Sequence, residues 1–141
     1  MKKYLYIAIL GAFGAITRYV FEKAPFQLFD TNFPIKTLAI NLLGCFVLSL
    51  IIEYSFERKN LSNSQRLGIT TGFLGAFTTF STLCKETVDL LNAGQYAFAL
   101  IYILASIALG LLAIELANKL VKKILVNKSN EASENTIGGS K

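Results

Sequence analysis

Four apolar stretches constrain this chain more than any other feature: Tyr4 to Phe21, Thr37 to Tyr54, Leu67 to Leu91 and Tyr96 to Val121. The first holds one charge, Arg18, and the second one, Glu53 beside its end. A helix needs about 20 residues to cross about 30 Å of hydrocarbon, and each stretch is of that order. A soluble four-helix bundle needs an apolar stripe backed by a polar face. The first two segments are apolar all round, the third is interrupted by a polar patch, and 141 residues are too few to bury such helices in a soluble interior. The chain is therefore expected to be an all-α integral membrane protein with four transmembrane helices. A charged fraction of only 16% and a mean hydropathy of +0.51 agree. Segment one is not expected to be a cleaved leader, because no small-residue cleavage site follows its apolar run and Arg18 lies near its end.

The connections are short. Residues 22–36 carry both prolines, Pro25 and Pro34, with aromatic and leucine side chains suited to a loop in the interface; 55–66 are polar, and 92–95 read as a tight turn. Residues 1–126 make up the membrane domain, and the polar stretch 127–141 reads as a disordered cytoplasmic tail. Four spans put both termini and the middle loop on one side. That side holds Lys2, Lys3, Arg58, Lys59, Arg66, Lys119, Lys122, Lys123, Lys128 and Lys141; the other holds only Lys23 and Lys36. Positive charge favours the cytoplasmic face, so both termini are expected inside, in a multi-pass protein of the cell inner (plasma) membrane.

Chemistry is limited by what is missing. With no His, His-dependent hydrolysis, His-containing zinc sites and Ser-His-Asp triads drop out. No phosphate loop, metal-ligand cluster or nucleophile–base pair stands in the sequence, and catalysis is not expected. Cys45 and Cys84 share no ligand spacing and read as buried packing residues. The net charge of +5 sits between apolar segments rather than on one polar face, which speaks for a membrane and against nucleic acid.

Polar groups inside spans need partners, because an unsatisfied one costs several kcal/mol in hydrocarbon. Arg18 either snorkels to a helix end or draws an anion into an aqueous vestibule. Asn41 shares a helical face with Thr37 and Gly44; it either bonds a neighbouring helix or offers its N–H groups to an anion. The most informative run is GITTGFLGAFTTFST, residues 68–82. Gly68, Gly72 and Gly75 precede Thr78, Thr79, Ser81 and Thr82, which flank Phe80. Gly and Thr each weaken a helix by roughly 0.5–1 kcal/mol, and hydroxyls that bond back to the i−4 carbonyl bend it. The third helix is therefore expected to break in mid-membrane, freeing carbonyls for protein or cation partners; simple packing through Gly68 and Gly72 is the alternative. Glu86, with Lys85 and Asp89, follows the break. Glu115 and Lys119 form an i,i+4 pair, and Ser106 with Gly110 makes a small-residue packing face. The donors left inside the spans are neutral: hydroxyls, one amide and aromatic edges, all tolerant of an anion.

GAFGAITRY (11–19), TLAINLLGCF (37–46) and above all TGFLGAFTTFST (71–82) closely resemble the signatures of the Fluc/CrcB fluoride channel family, a resemblance that runs over roughly residues 4–120. It implies an antiparallel dimer of four-span subunits with two narrow fluoride pores and a structural sodium ion at the dimer centre. The family's sodium positions fall on the backbone carbonyls of Gly75 and Thr78. Its pore asparagine falls on Asn41, its first pore phenylalanine on Phe80, and its hydroxyl track on Ser81 and Thr82. Its first-span arginine falls on Arg18 and its vestibule carboxylate on Glu86. Many members carry a second pore phenylalanine where this chain has Leu83, and a fourth-span serine where it has Gly110; Ser106 is expected to stand in for the latter.

The resemblance implies passive fluoride efflux that relieves fluoride toxicity. A subunit that pairs head to tail with itself must insert both ways, yet the flanking charge here is lopsided. That favours a second arrangement: a heterodimer with an oppositely oriented paralogue, in which this chain is a half-degenerate or non-conducting partner. A small multidrug exporter is a third reading, but its proton coupling needs a carboxylate deep in an early span, and none precedes Glu22.

Overall fold

A computed structural model describes residues 2–23, 33–58 and 61–138. Helix α1 spans Lys2–Lys23 and α2 Ile35–Arg58. The third segment is composite: α3, Asn63–Leu67, runs into a π-helical stretch, Gly68–Leu74, and a single α-helical turn, α4, Gly75–Phe77. After two extended residues it resumes as α5, Phe80–Asn92, and a tight turn leads into α6, Tyr96–Gly138. Four regions are long and apolar enough to cross a membrane: Lys3–Lys23, Ile35–Ser55, Asn63–Asn92 and Tyr96–Asn127. The four expected spans are therefore all present. The interfacial loop expected over 22–36 falls, at residues 24–32, outside the described residues, as do Lys59 and Lys141. Helix α6 continues through Gly138, into the stretch read from sequence as a disordered tail. No proline lies between Tyr96 and Gly138, and Gly110 is the one glycine before the end of the helix, a cost of about 1 kcal/mol that does not interrupt it.

Local sequence explains the boundaries. Ser62 caps α3: its hydroxyl accepts from the Gln65 N–H at 3.3 Å, and the Gln65 side chain accepts from the Ser62 N–H at 3.0 Å. This reciprocal box is worth about 1 kcal/mol. The α5–α6 turn places Gly94 at φ 72, a conformation in which a Cβ is strained. Between them, the π-helical stretch lies along α1, and α2 lies along α6.

The contact between α1 and the π-helical stretch is made by glycines. A Cβ at Gly14 would collide with the Phe73 carbonyl, and one at Gly72 would come within 2.7 Å of the Ile7 carbonyl. At Gly68 a Cβ would meet Tyr6 and Leu10 at 2.9 Å. The Gly68–Gly72 packing weighed from sequence thus holds together with the break, a few residues apart in the same segment. The other buried cluster joins Leu90, Ala99 and Tyr102, with Phe33, Leu38 and Leu83 packed on it. Large apolar side chains of α1 and α6 cover the outer surface, among them Phe13, Ile16, Leu104 and Ile107, as lipid contact requires. Cys45 is half-buried rather than fully buried. Cys84 is exposed, contrary to the sequence reading, because it lies on the α5 face turned away from that cluster.

Candidate functional site

The third segment loses its helix at Thr78 and Thr79, both extended, with ψ of 157 and 115. Two devices hold this break. Asn41 of α2 faces it and pairs with both backbone groups of Thr79: the Thr79 N–H donates to Asn41 Oδ1 at 2.8 Å, and Asn41 Nδ2 donates to the Thr79 carbonyl at 3.0 Å. A side-chain amide thus does what a neighbouring strand would do, and satisfies backbone that hydrocarbon cannot. The Thr79 hydroxyl then caps α5 by accepting from the Thr82 N–H at 3.2 Å. It also lies 2.9 Å from the Thr82 hydroxyl and 3.3 Å from that of Ser81. Gly44 leaves room for the break, since a Cβ there would collide with the Thr78 side chain.

The same bonds leave carbonyls over. In a helix the Gly75 carbonyl would accept from Thr79 N–H and the Thr78 carbonyl from Thr82 N–H. Both donors are turned elsewhere, to Asn41 and to the Thr79 hydroxyl. Thr78 itself closes back on the Leu74 carbonyl through its N–H at 3.0 Å and its hydroxyl at 2.9 Å. The carbonyls of Gly75 and Thr78 therefore lack their helical donors, and uncharged oxygens of this kind suit a hard cation.

Beside the break is a cavity of about 280 Å³ lined by residues that include Asn41, Cys45, Leu48, Thr78, Thr79 and Phe80. Asn41 has a second amide hydrogen available there beyond its bond to Thr79. Phe80 projects from the first turn of α5 with 79% of its surface exposed, an aromatic ring left uncovered by its own chain. Deeper along α5, Glu86 is held from two sides. Thr37 Oγ1 donates to Glu86 Oε1 and the Tyr102 hydroxyl to Glu86 Oε2, each at 2.7 Å. A further cavity of about 460 Å³ opens beyond it, lined by Pro34, Glu86, Asp89, Leu90, Ala93 and Gln95.

The structure thus brings together Asn41, Phe80, Ser81 and Thr82, with Gly75 and Thr78 on the near side of the break and Glu86 further along α5. Ser106 is not joined to this group by any hydrogen bond; it donates back to the Tyr102 carbonyl at 2.7 Å. Arg18 stands on α1, half-buried, and among the described residues no hydrogen bond ties it to the group. Leu83 packs on the Leu90–Ala99–Tyr102 cluster. Three participants escaped the sequence reading as site residues: Thr37, Thr79 and Tyr102. The i−4 placement of Thr37 before Asn41 and of Tyr102 before Ser106 is the signal that would have found two of them. For Thr79 the signal is the three-residue step to Thr82, the spacing of an N-cap.

A broken span, capped by neutral donors and packed through glycines, is a pattern with relatives. Residues 5–117 match the family described as CrcB-like protein, Camphor Resistance (CrcB). The chain belongs to this family. Among curated relatives, Fluoride-specific ion channel FluC 1 of Moorella thermoacetica is 41% identical over 89% of this chain and 90% of its own length. Fluoride-specific ion channel FluC of Citrifermentans bemidjiense is 43% identical over 76% of this chain and 86% of its own. Fluoride-specific ion channel FluC 2 of Listeria monocytogenes is 38% identical over 86% and 92%. The CrcB family is one of ion channels and not of enzymes, in line with the missing catalytic groups. Its membership and the four apolar helices make the chain a multi-pass membrane protein.

Proposed function

We propose that the chain is a subunit of a fluoride-selective channel that lets fluoride leave the cytoplasm passively and so relieves fluoride toxicity. The observation that carries this reading is the Asn41–Thr79 break, where the amide, the hydroxyls of Thr79, Ser81 and Thr82 and the ring of Phe80 cluster without a fixed positive charge. Neutral donors can take over part of a small anion's hydration without holding it too tightly to leave. The names of the relatives agree. Fluoride trapped in a neutral cytoplasm is pushed outward by an inside-negative potential, at about 2.3 kcal/mol per 100 mV, so no energy-coupling site is needed. The Thr37–Glu86–Tyr102 group lines the approach, and Arg18 attracts the anion.

The subunit works as an antiparallel dimer. A sodium ion between subunits, held by the Gly75 and Thr78 carbonyls, would neutralise the oxygens that the break leaves without helical donors; this is a structural cation that fixes two breaks against each other. The partner is either a second copy or an oppositely oriented paralogue. The paralogue is favoured by the lopsided charge of the chain and by Leu83, whose aliphatic side chain packs inward and offers no ring edge. In that arrangement this chain is the half-degenerate member, and the partner provides the missing aromatic.

Fluoride efflux from loaded liposomes, followed with a fluoride electrode, tests the reading. Efflux with the chain alone supports the homodimer; efflux only on joint reconstitution with a paralogue supports the heterodimer. Vesicles that hold fluoride in both cases, with the protein assembled, refute the channel.

A further inference from the structure

The break is confined to Thr78 and Thr79, and the polar residues do not stop there. Along α2, Thr37, Asn41, Cys45, Ser49 and Glu53 recur at every fourth residue, a ridge inclined to the helix axis. It climbs about 24 Å at 1.5 Å per residue, most of a hydrocarbon layer. Helix α6 carries a matching ridge: Tyr102, Ser106, Gly110, Ile114 and Asn118. The two ridges meet. A Cβ on Gly110 would lie 3.9 Å from Cys45 Sγ. Ser49 Oγ donates to Asn118 Oδ1 at 2.6 Å and lies 3.3 Å from the Ile114 carbonyl.

A cavity of about 280 Å³ opens on this second meeting point, lined by Cys45, Leu48, Ser49, Glu53, Ile114 and Asn118 among others. Cys45 and Leu48 also line the cavity at the break, so the two spaces share a wall. The Asn118 carbonyl oxygen is taken by Ser49, while its NH2 has no partner among the described residues. Amide hydrogens left unpaired inside a span are costly unless something polar visits them.

We propose that Ser49 and Asn118 form a second anion station, on the half of the fold nearer the chain termini, that receives fluoride coming to or from the break past Cys45. The assignment rests on the channel reading above. Asn118 supplies the free N–H groups, and Ser49 orients the amide by occupying its oxygen. Glu53 lines the same space with a carboxylate that opposes a resident anion, so the station passes fluoride on rather than storing it.

The test is fluoride efflux from liposomes with the full chain, in whichever pairing conducts. Asn118→Asp keeps shape, removes the donors and adds a negative charge; it lowers flux by at least about tenfold, the scale of one lost hydrogen bond to an ion. Ser49→Ala lowers flux less, and Glu53→Gln raises it. Flux in Asn118→Asp within twofold of the parent, with the protein eluting as the same oligomer, overturns the station and leaves the channel standing. Should Asn118→Asp fail to assemble, Ser49→Ala and Glu53→Gln decide, and unchanged flux in both overturns the station. A parent that passes no fluoride in any pairing overturns the channel reading, and the station with it.

Discussion

The two halves of the third span use similar residues for opposite ends. In Gly68–Leu74, glycines sit against α1 backbone, and the Thr70 hydroxyl folds back to the Arg66 carbonyl at 2.8 Å. The helix widens but stays continuous. A few residues on, the Thr79 hydroxyl turns forward to cap α5, its N–H goes to another helix, and the chain breaks. What separates the two is the partner. The first half faces Gly11 and Gly14 of α1, which offer closeness and no hydrogen bonds. The second faces Asn41, which offers one donor and one acceptor at the spacing of a peptide. A break inside a membrane therefore depends less on weak helix formers than on a neighbour able to take the freed backbone.

The contrast can be broken most severely on its dry side. Gly14→Leu drives a side chain into the Phe73 carbonyl, where backbone meets backbone and little can yield; overpacking commonly costs about 1–3 kcal/mol and more where relaxation is blocked. Gel filtration in detergent should recover little or no assembled protein. On the polar side the fold should survive while flux falls. Asn41→Asp keeps an acceptor for Thr79 N–H but puts a charge beside the path. Two charges about 4 Å apart at a protein-surface effective dielectric interact by about 4 kcal/mol, so efflux should drop by about a hundredfold or more; equal flux would mean that Asn41 serves only to pair with Thr79.

Phe80→Ile sharpens the comparison further. The side chain is exposed, so assembly should be unchanged, and loss of an aromatic edge, worth about 0.5–1.5 kcal/mol, should cut efflux by about three- to tenfold. Unaltered efflux would remove the ring from the path. The smallest effect is expected of Gly110→Ser. Its Cβ meets nothing closer than 3.9 Å, so assembly stays intact and the added hydroxyl raises flux by no more than about threefold, a gain the same electrode assay resolves.

Most of the architecture was legible because apolar length is a blunt signal that a bilayer makes decisive. The break was legible too, since Gly and Thr crowd into residues 68–82. Its mechanism was less so. The sequence leaves open whether Asn41 bonds a neighbouring helix or an ion; the structure shows the first, with the Thr79 backbone as the partner, a detail that depends on α2 lying opposite the break. Tyr102 was hidden because a tyrosine in an apolar run reads as bulk until Glu86 is found at its hydroxyl. Cys84 was misread because burial is a property of the neighbouring helix and not of the residue. The end of α6 was not legible from composition: the stretch is polar, and the helix runs on to Gly138.

The clamp between Asn41 and Thr79 has a consequence for how the protein responds to cold. The Thr79 N–H and carbonyl and the Thr82 N–H at the discontinuity are already paired, from α2 on one side and by the cap of α5 on the other, while the Gly75 and Thr78 carbonyls stay without helical donors. Under the proposed channel reading, a path beside groups held in this way adds little activation enthalpy of its own. Its throughput should decline on cooling about as gently as diffusion through water does, which fluoride efflux from liposomes followed at several temperatures checks.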